Sequence, residues 1–137
     1  MDLRAVMTEI GTALDTIDAV RVYVGVPGRI DVPTRGAAAV VPYPTRVTYD
    51  STYARGMDRI EQLVLLVVGR PTDRSTLDKL TAYASGGASG VKAAIEAHAY
   101  TSCDVVTVDS VDVDDVTYAG VDYLAAVFNL NIVGQGA

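Results

Sequence analysis

The chain has 137 residues, 50% of them hydrophobic and 20% charged, with a net charge of −6. This length suits a single domain over residues 1–137 that buries its own core, and the acidic balance argues for a soluble chain and against one that holds nucleic acid through its bulk field. The one cysteine, Cys103, excludes an internal disulfide and a cysteine metal cluster and fits a reducing compartment, while no apolar run approaches a membrane span and Met1–Arg4 does not open a signal peptide.

Asp2 is placed to cap a first helix over residues ~3–16. Leu3, Val6, Met7, Ile10, Leu14 and Ile17 recur at helical spacing, with Arg4, Glu9 and Asp15 expected outward. Gly11 lowers helix propensity and marks a close approach. Val20–Val24 alternates with period two and reads as a short strand. The next stretch, 25–56, holds Pro27, Pro33, Pro42 and Pro44, so no long helix fits. Ala37–Val41 and Arg46–Asp50 read as short strands and the remainder as an extended arm or loop. It carries Arg29, Arg35, Arg46 and Arg55 interleaved with Tyr43, Tyr49 and Tyr53. Arg with Tyr is the composition of protein interfaces. A solvated loop and a single-strand nucleic-acid surface are the other readings, and the acidic total weighs against the second.

The run Ile60–Val68 is the strongest strand signal in the chain. It begins with Arg59 and Glu61 on one face and Ile60 on the other, and from Leu63 it is apolar on both, which places it inside a sheet. Gly69–Asp73 stops it. Thr72 or Asp73 then caps a helix to about Ala84 with Leu77, Leu80 and Tyr83/Ala84 as its apolar stripe. Gly86–Gly90 breaks this helix but lacks the Lys-Ser/Thr ending of a phosphate loop. Ser89 is placed to cap a short helix to His98, with Val91, Ala94 and Ile95 inward. The C-terminus reads as a hairpin. Val105–Asp109, extended by Val111–Tyr118, is one arm. In the other, Leu124, Ala126, Phe128, Leu130 and Ile132 share the buried face, and Tyr123, Ala125, Val127, Asn129 and Asn131 the opposite one. The expected class is α+β: a mixed, mainly antiparallel sheet with two to three helices on a face.

Chemistry is thinly supplied. A nucleophile pair would have to use His98 and Cys103, and a helical terminus is an ordinary place for a histidine. Asp109, Asp112, Asp114 and Asp115 cluster without the glycine turn of a calcium loop. Alternation puts Asp112 and Asp114 on one face and Asp109 and Asp115 on the other. No nucleotide fingerprint or zinc spacing occurs, so no catalytic residue, metal or cofactor is expected. The rival class is a small enzyme or ligand-binding module using His98 or the Asp109–Asp115 cluster.

Taken together, the N-terminal helix and strand, Ala37–Pro42, Val47–Asp50, Arg55-Gly56 leading into Ile60–Val68 and Gly69-Arg70, the helix 73–83, the Gly/Ser break, Val91–Ala97 and the closing strand resemble the tail terminator proteins of long-tailed bacteriophages over nearly the whole chain. The resemblance implies one mixed sheet with helices on a face and a ring, usually a hexamer, that stops tail-tube growth and joins the finished tail to the head-tail connector. It implies no catalytic residues. Its expected partners are other copies, the tail tube protein and a connector or stopper protein, with DNA passing through the lumen unbound and no membrane. Its expected location is the virion tail or neck, after assembly in the host cytoplasm. Other neck components, a connector, a stopper or a tube protein, share parts of this plan.

Charge suggests where contacts form. Residues 1–75 carry nine Lys/Arg and nine Asp/Glu, whereas 76–137 carry only Lys79 and Lys92 against eight acids. Residues 104–122 hold six aspartates and no cation. The expectation is that the arm (Arg29, Arg35, Tyr43, Arg46, Tyr49, Tyr53) meets the acidic strands (Asp112, Asp114, Asp115, Tyr123, Asn129, Asn131) between subunits or against a neighbouring neck ring, with an Asp-lined DNA channel as the competing reading.

Overall fold

The structure, a computed structural model, describes residues 2–33, 36–49, 57–70, 74–87, 90–118 and 120–135. These form α1 (Leu3–Leu14), β1 (Val20–Val24), β2 (Ala37–Val41), β3 (Arg46–Thr48), β4 (Met57–Gly69), α2 (Arg74–Ala84), α3 (Val91–Ala97), β5 (Val105–Tyr118) and β6 (Val121–Gln135). The six strands make one mixed, mostly antiparallel sheet in the order β1-β2-β4-β6-β5, with β3 also paired to β4. It is an α+β fold, and its β1–β2 pair is the parallel one.

β4 is interior because both of its edges are used. On one side it pairs with β3 through Arg59–Glu61 and with β2 through Leu65–Val67. On the other it runs antiparallel to β6 over its length. Ile60, Gln62, Val64, Leu66 and Val68 are buried on the helix side. The opposite face is covered only in part: Val67 is buried in a small cluster with Ile30, Ala38, Val40 and Ala125, while Leu63 and Leu65 are half-buried. Two-face burial is therefore confined to Leu66–Val68. A bulge between Val67 and Gly69 takes up one residue of the β6 register there.

Gln62 is the polar residue that the apolar run conceals. β2 ends and β3 begins beside it, leaving a gap in the ladder. Its Nε2 donates to Pro42 O at 2.6 Å and Leu63 O at 2.8 Å, while Thr45 N donates to Glu61 O at 2.9 Å. The buried amide thus closes the seam that the proline-bracketed segment opens.

The helices cover one face. Asp2 caps α1, its carboxylate accepting from Arg4 N and Ala5 N. Val6, Met7, Ile10 and Leu14 are buried and Ile17 packs beside them, whereas Leu3 is exposed. A Cβ on Gly11 would lie 2.7 Å from Val24 Cγ2, so the close approach expected there is real and joins α1 to β1. At Gly69 a Cβ would meet Thr76 Oγ1 at 2.7 Å, which lets α2 sit down on the end of β4. α2 buries Thr76 and Leu80; Leu77, expected in its stripe, is 62% exposed. The expected caps Thr72, Asp73 and Ser89 lie outside the described residues. The N-cap of α3 is Gly90, without a side-chain cap bond, and Val91 and Ile95 are its buried residues.

Among the described residues of 25–56, β2 and β3 join the sheet where the short strands Ala37–Val41 and Arg46–Asp50 are expected. β2 is buried at every position because it lies between β1 and β4. Residues 34–35 and 50–56, with Arg35, Tyr53 and Arg55, lie outside the described residues.

The hairpin β5–β6 carries a second bulge, between Val108 and Ser110. Val106 and Val108 face the helices before it, and Val111 and Val113 after it, opposite Phe128 and Ala126. The phase slip keeps the valines on one side. It also corrects the expected placement of Asp109 with Asp115: Asp109 sits in the bulge and accepts from Thr107 Oγ1 on the open face, while Asp115 follows Val113 on the helix side.

Leu66, fully buried where β2, β4 and β6 meet, is expected to cost about 2–5 kcal/mol when replaced by Ala, measured by chemical denaturation. A cost below ~0.5 kcal/mol would remove it from the core.

Candidate functional site

Three places gather functional side chains. The first lies between α1 and the connection from α3 to β5. Glu9, expected outward, turns inward instead. Its carboxylate accepts from Thr101 N (3.1 Å), Thr101 Oγ1 (3.0 Å) and Ser102 N (2.6 Å), and faces His98 Nε2 at 3.2 Å. Burial pushes its pKa up, but these donors outweigh burial and hold it at about 2. Ser102 Oγ is buried beside the carboxylate, contributing to that shift although it falls short of hydrogen-bond geometry. His98 also sits edge-on to Tyr100, with ring centroids 4.7 Å apart, and Tyr100 Oη donates to Ile95 O at 2.7 Å. The His98 ring is thus engaged in a network that clamps a helix to a loop. Burial, then the Glu9 charge, raise the pKa of Cys103, which keeps it a thiol rather than a nucleophilic thiolate.

The second place is a cleft of about 920 Å³ between the C-terminal part of α1, α2 and α3. Alanines 13, 82, 94 and 97 line it with Ile17 and Tyr83, and Asp18, Lys79 and His98 stand among them. It is predominantly apolar.

The third is the sheet face turned away from the helices, together with its two edges. Asn129 Nδ2 donates to Ser110 Oγ (3.0 Å) and Asp112 Oδ2 (2.9 Å), and Arg59 Nε donates to Asn131 Oδ1 (2.8 Å). Glu61 lies 3.9 Å from Arg59 and 3.8 Å from Arg46. The structure therefore brings Arg46, Asp112, Asn129 and Asn131, expected as interface residues, onto one open polar surface, and the register adds Asp114 opposite Ala125. Tyr123 is partly buried in the small cluster with Val116 and Ile30. Asp115 is on the other face. Arg29 pairs with Asp31 (3.8 Å), and Tyr43 borders a groove with Arg4, Met7, Val22, Val24 and Val26. Tyr49 is 74% exposed.

Among the described residues no group of acids, His and Cys is arranged to hold a metal, and no helix is long and apolar enough to cross a membrane. The acids Asp112, Asp114 and Asp115 make no ion pair with a described cation; the described arginines of 25–56 pair locally with Asp31 and Glu61. Sequence reasoning missed Glu9, hidden at an expected solvent position, and Arg59, whose partner Asn131 lies across β4–β6. No protein-family model matches the chain, and no curated protein matches it.

The Glu9 network has a pH signature. A carboxylate held at about 2, against 4.5 ordinarily, contributes stability that is complete above pH 4.5 and is lost as pH falls toward 2. Glu9→Gln is expected to cost about 1.5–3 kcal/mol at pH 6 by denaturant unfolding, with the gap to the parent closing across that acidic window. A gap that does not change with pH would contradict the assignment.

Proposed function

We propose that this chain is a structural virion protein, a ring-forming tail terminator that caps the tail tube of a long-tailed phage and joins it to the head-tail connector. The observation that carries the reading is the sheet's two edge strands, β1 and β5, which end one strand path with no further strand paired to them among the described residues, and with the helices on one face. Such a subunit has two different contact surfaces, as repeated head-to-tail assembly requires. The pattern of elements along the chain, similar to that of tail terminators, supports the same reading. The net charge of −6 suits a ring through which DNA passes without being held. His98, Glu9 and Cys103 serve packing in this account rather than catalysis. Partners are other copies, the tube protein and a connector or stopper.

The neighbouring stations of the neck, a stopper, connector or tube subunit, share parts of this plan and form the nearest alternative. A ligand-binding module is favoured by one observation, the apolar cleft beside His98.

The test is to add the purified chain to polymerising tube protein of the same virus and image the products by negative stain. Expected are closed rings, alone at high concentration or seated on tube ends, and tubes of arrested length. A chain that is monomeric at every concentration and leaves tube growth unchanged would overturn the reading.

A further inference from the structure

The strand directions bear on how copies meet. β1 is parallel to β2, β2 antiparallel to β4, β4 to β6, and β6 to β5. β1 and β5 therefore run in opposite senses at the two ends of the sheet. Two copies laid side by side in the same orientation bring β5 of one against β1 of the next as an antiparallel pair.

The side chains on these edges match. In β1, Arg21 and Tyr23 lie on the open face, and Val20, Val22 and Val24 on the helix side. In β5 beyond its bulge, Asp112 and Asp114 lie on the open face, and Val111 and Val113 on the helix side. Val24 is 44% and Val113 56% exposed, so both edges present valines to solvent on the same side of the sheet. On the other side the charges are opposite. Arg21 and Arg29 share Asp31 at 3.5 and 3.8 Å, leaving a positive surplus beside β1, while the acids of β5 have no described cation.

We propose that β5 of one copy adds to β1 of the next, with Arg21 opposite Asp114 and Val22 opposite Val113. This deepens the ring reading and rests on it. Main-chain bonds and the valines supply the contact, and the charges set register. The same charges discriminate against wrong pairings: β5 on β5 sets aspartates against aspartates, and β1 on β1 sets Arg21 against its own copy. Only the head-to-tail pair satisfies both edges, and its repetition closes a ring or extends a chain.

Paired cysteines test it. Within one copy the two edges stand four strand spacings apart, roughly 19 Å, beyond disulfide reach. In a Cys103→Ser background, Arg21→Cys with Asp114→Cys is expected to give, on oxidation, a ladder of covalent multimers ending at the ring size. Either cysteine alone should give no ladder. Because both positions are exposed, charge reversal supplies a second arm that keeps Cys103: Arg21→Glu or Asp114→Arg should raise the concentration for half-assembly roughly tenfold, and the two together should restore it. Both arms are run on free protein and on tube ends. Rings that form without the ladder or the charge effect would overturn the edge contact while leaving the ring reading intact. Covalent dimers from Asp114→Cys alone would replace it with β5–β5 pairing. Monomers that do not cap tubes would overturn both.

Discussion

The pairing of β4 with β6 is the constraint on which the rest depends. It runs from Met57↔Gln135 to Gly69↔Leu124 and fixes which side of each strand meets the helices. Ile60, Val64 and Leu66 lie across from Ile132, Phe128 and Ala126, so a one-residue slip would turn the largest core side chains to the open face. β2 and β3 can share one edge of β4 because Gln62 bridges the gap between them. β5 can continue along β6 because its bulge restores the phase of its valines.

How much of this is legible in the sequence follows from how strongly each pattern is enforced. The long alternation Leu124–Ile132 and the run Ile60–Val68 announce interior strands, since burying one face of β6 and much of β4 leaves little freedom in residue type. The capping of α1 by Asp2 and the close packing at Gly11 are legible for similar local reasons. Glu9 is not, because its donors lie on a loop some ninety residues away and nothing local distinguishes an inward carboxylate from a solvated one. Leu77 fails in the opposite way: helical spacing places it near the stripe, but α2 turns Thr76 and Leu80 to the sheet. The shift from Val106 and Val108 to Val111 and Val113 does record the β5 bulge, as a change of phase at Asp109–Ser110.

The candidate surface was legible in kind and less so in partners. Asp112, Asp114, Asn129 and Asn131 do gather on an open sheet face, as alternation dictates. The described arginines of 25–56, Arg29 and Arg46, do not pair with them within one copy; they settle beside nearer acids, Asp31 and Glu61. Among the described residues the acids of β5 thus have no paired cation at one edge, and β1 has an arginine surplus at the other. In the proposed assembly this local imbalance is what makes two different edges complementary. In that assembly the charged strands serve subunit contacts.

Hydrogen exchange on the assembled and dispersed protein reads backbone pairing at each edge. Amides of Val20–Val24 and of the distal half of β5 are expected to slow together on assembly, while those of β4 and β6, already paired on both sides, change little. Protection that appears on the helices instead, with β1 and β5 exchanging as fast as in the dispersed chain, would contradict the account.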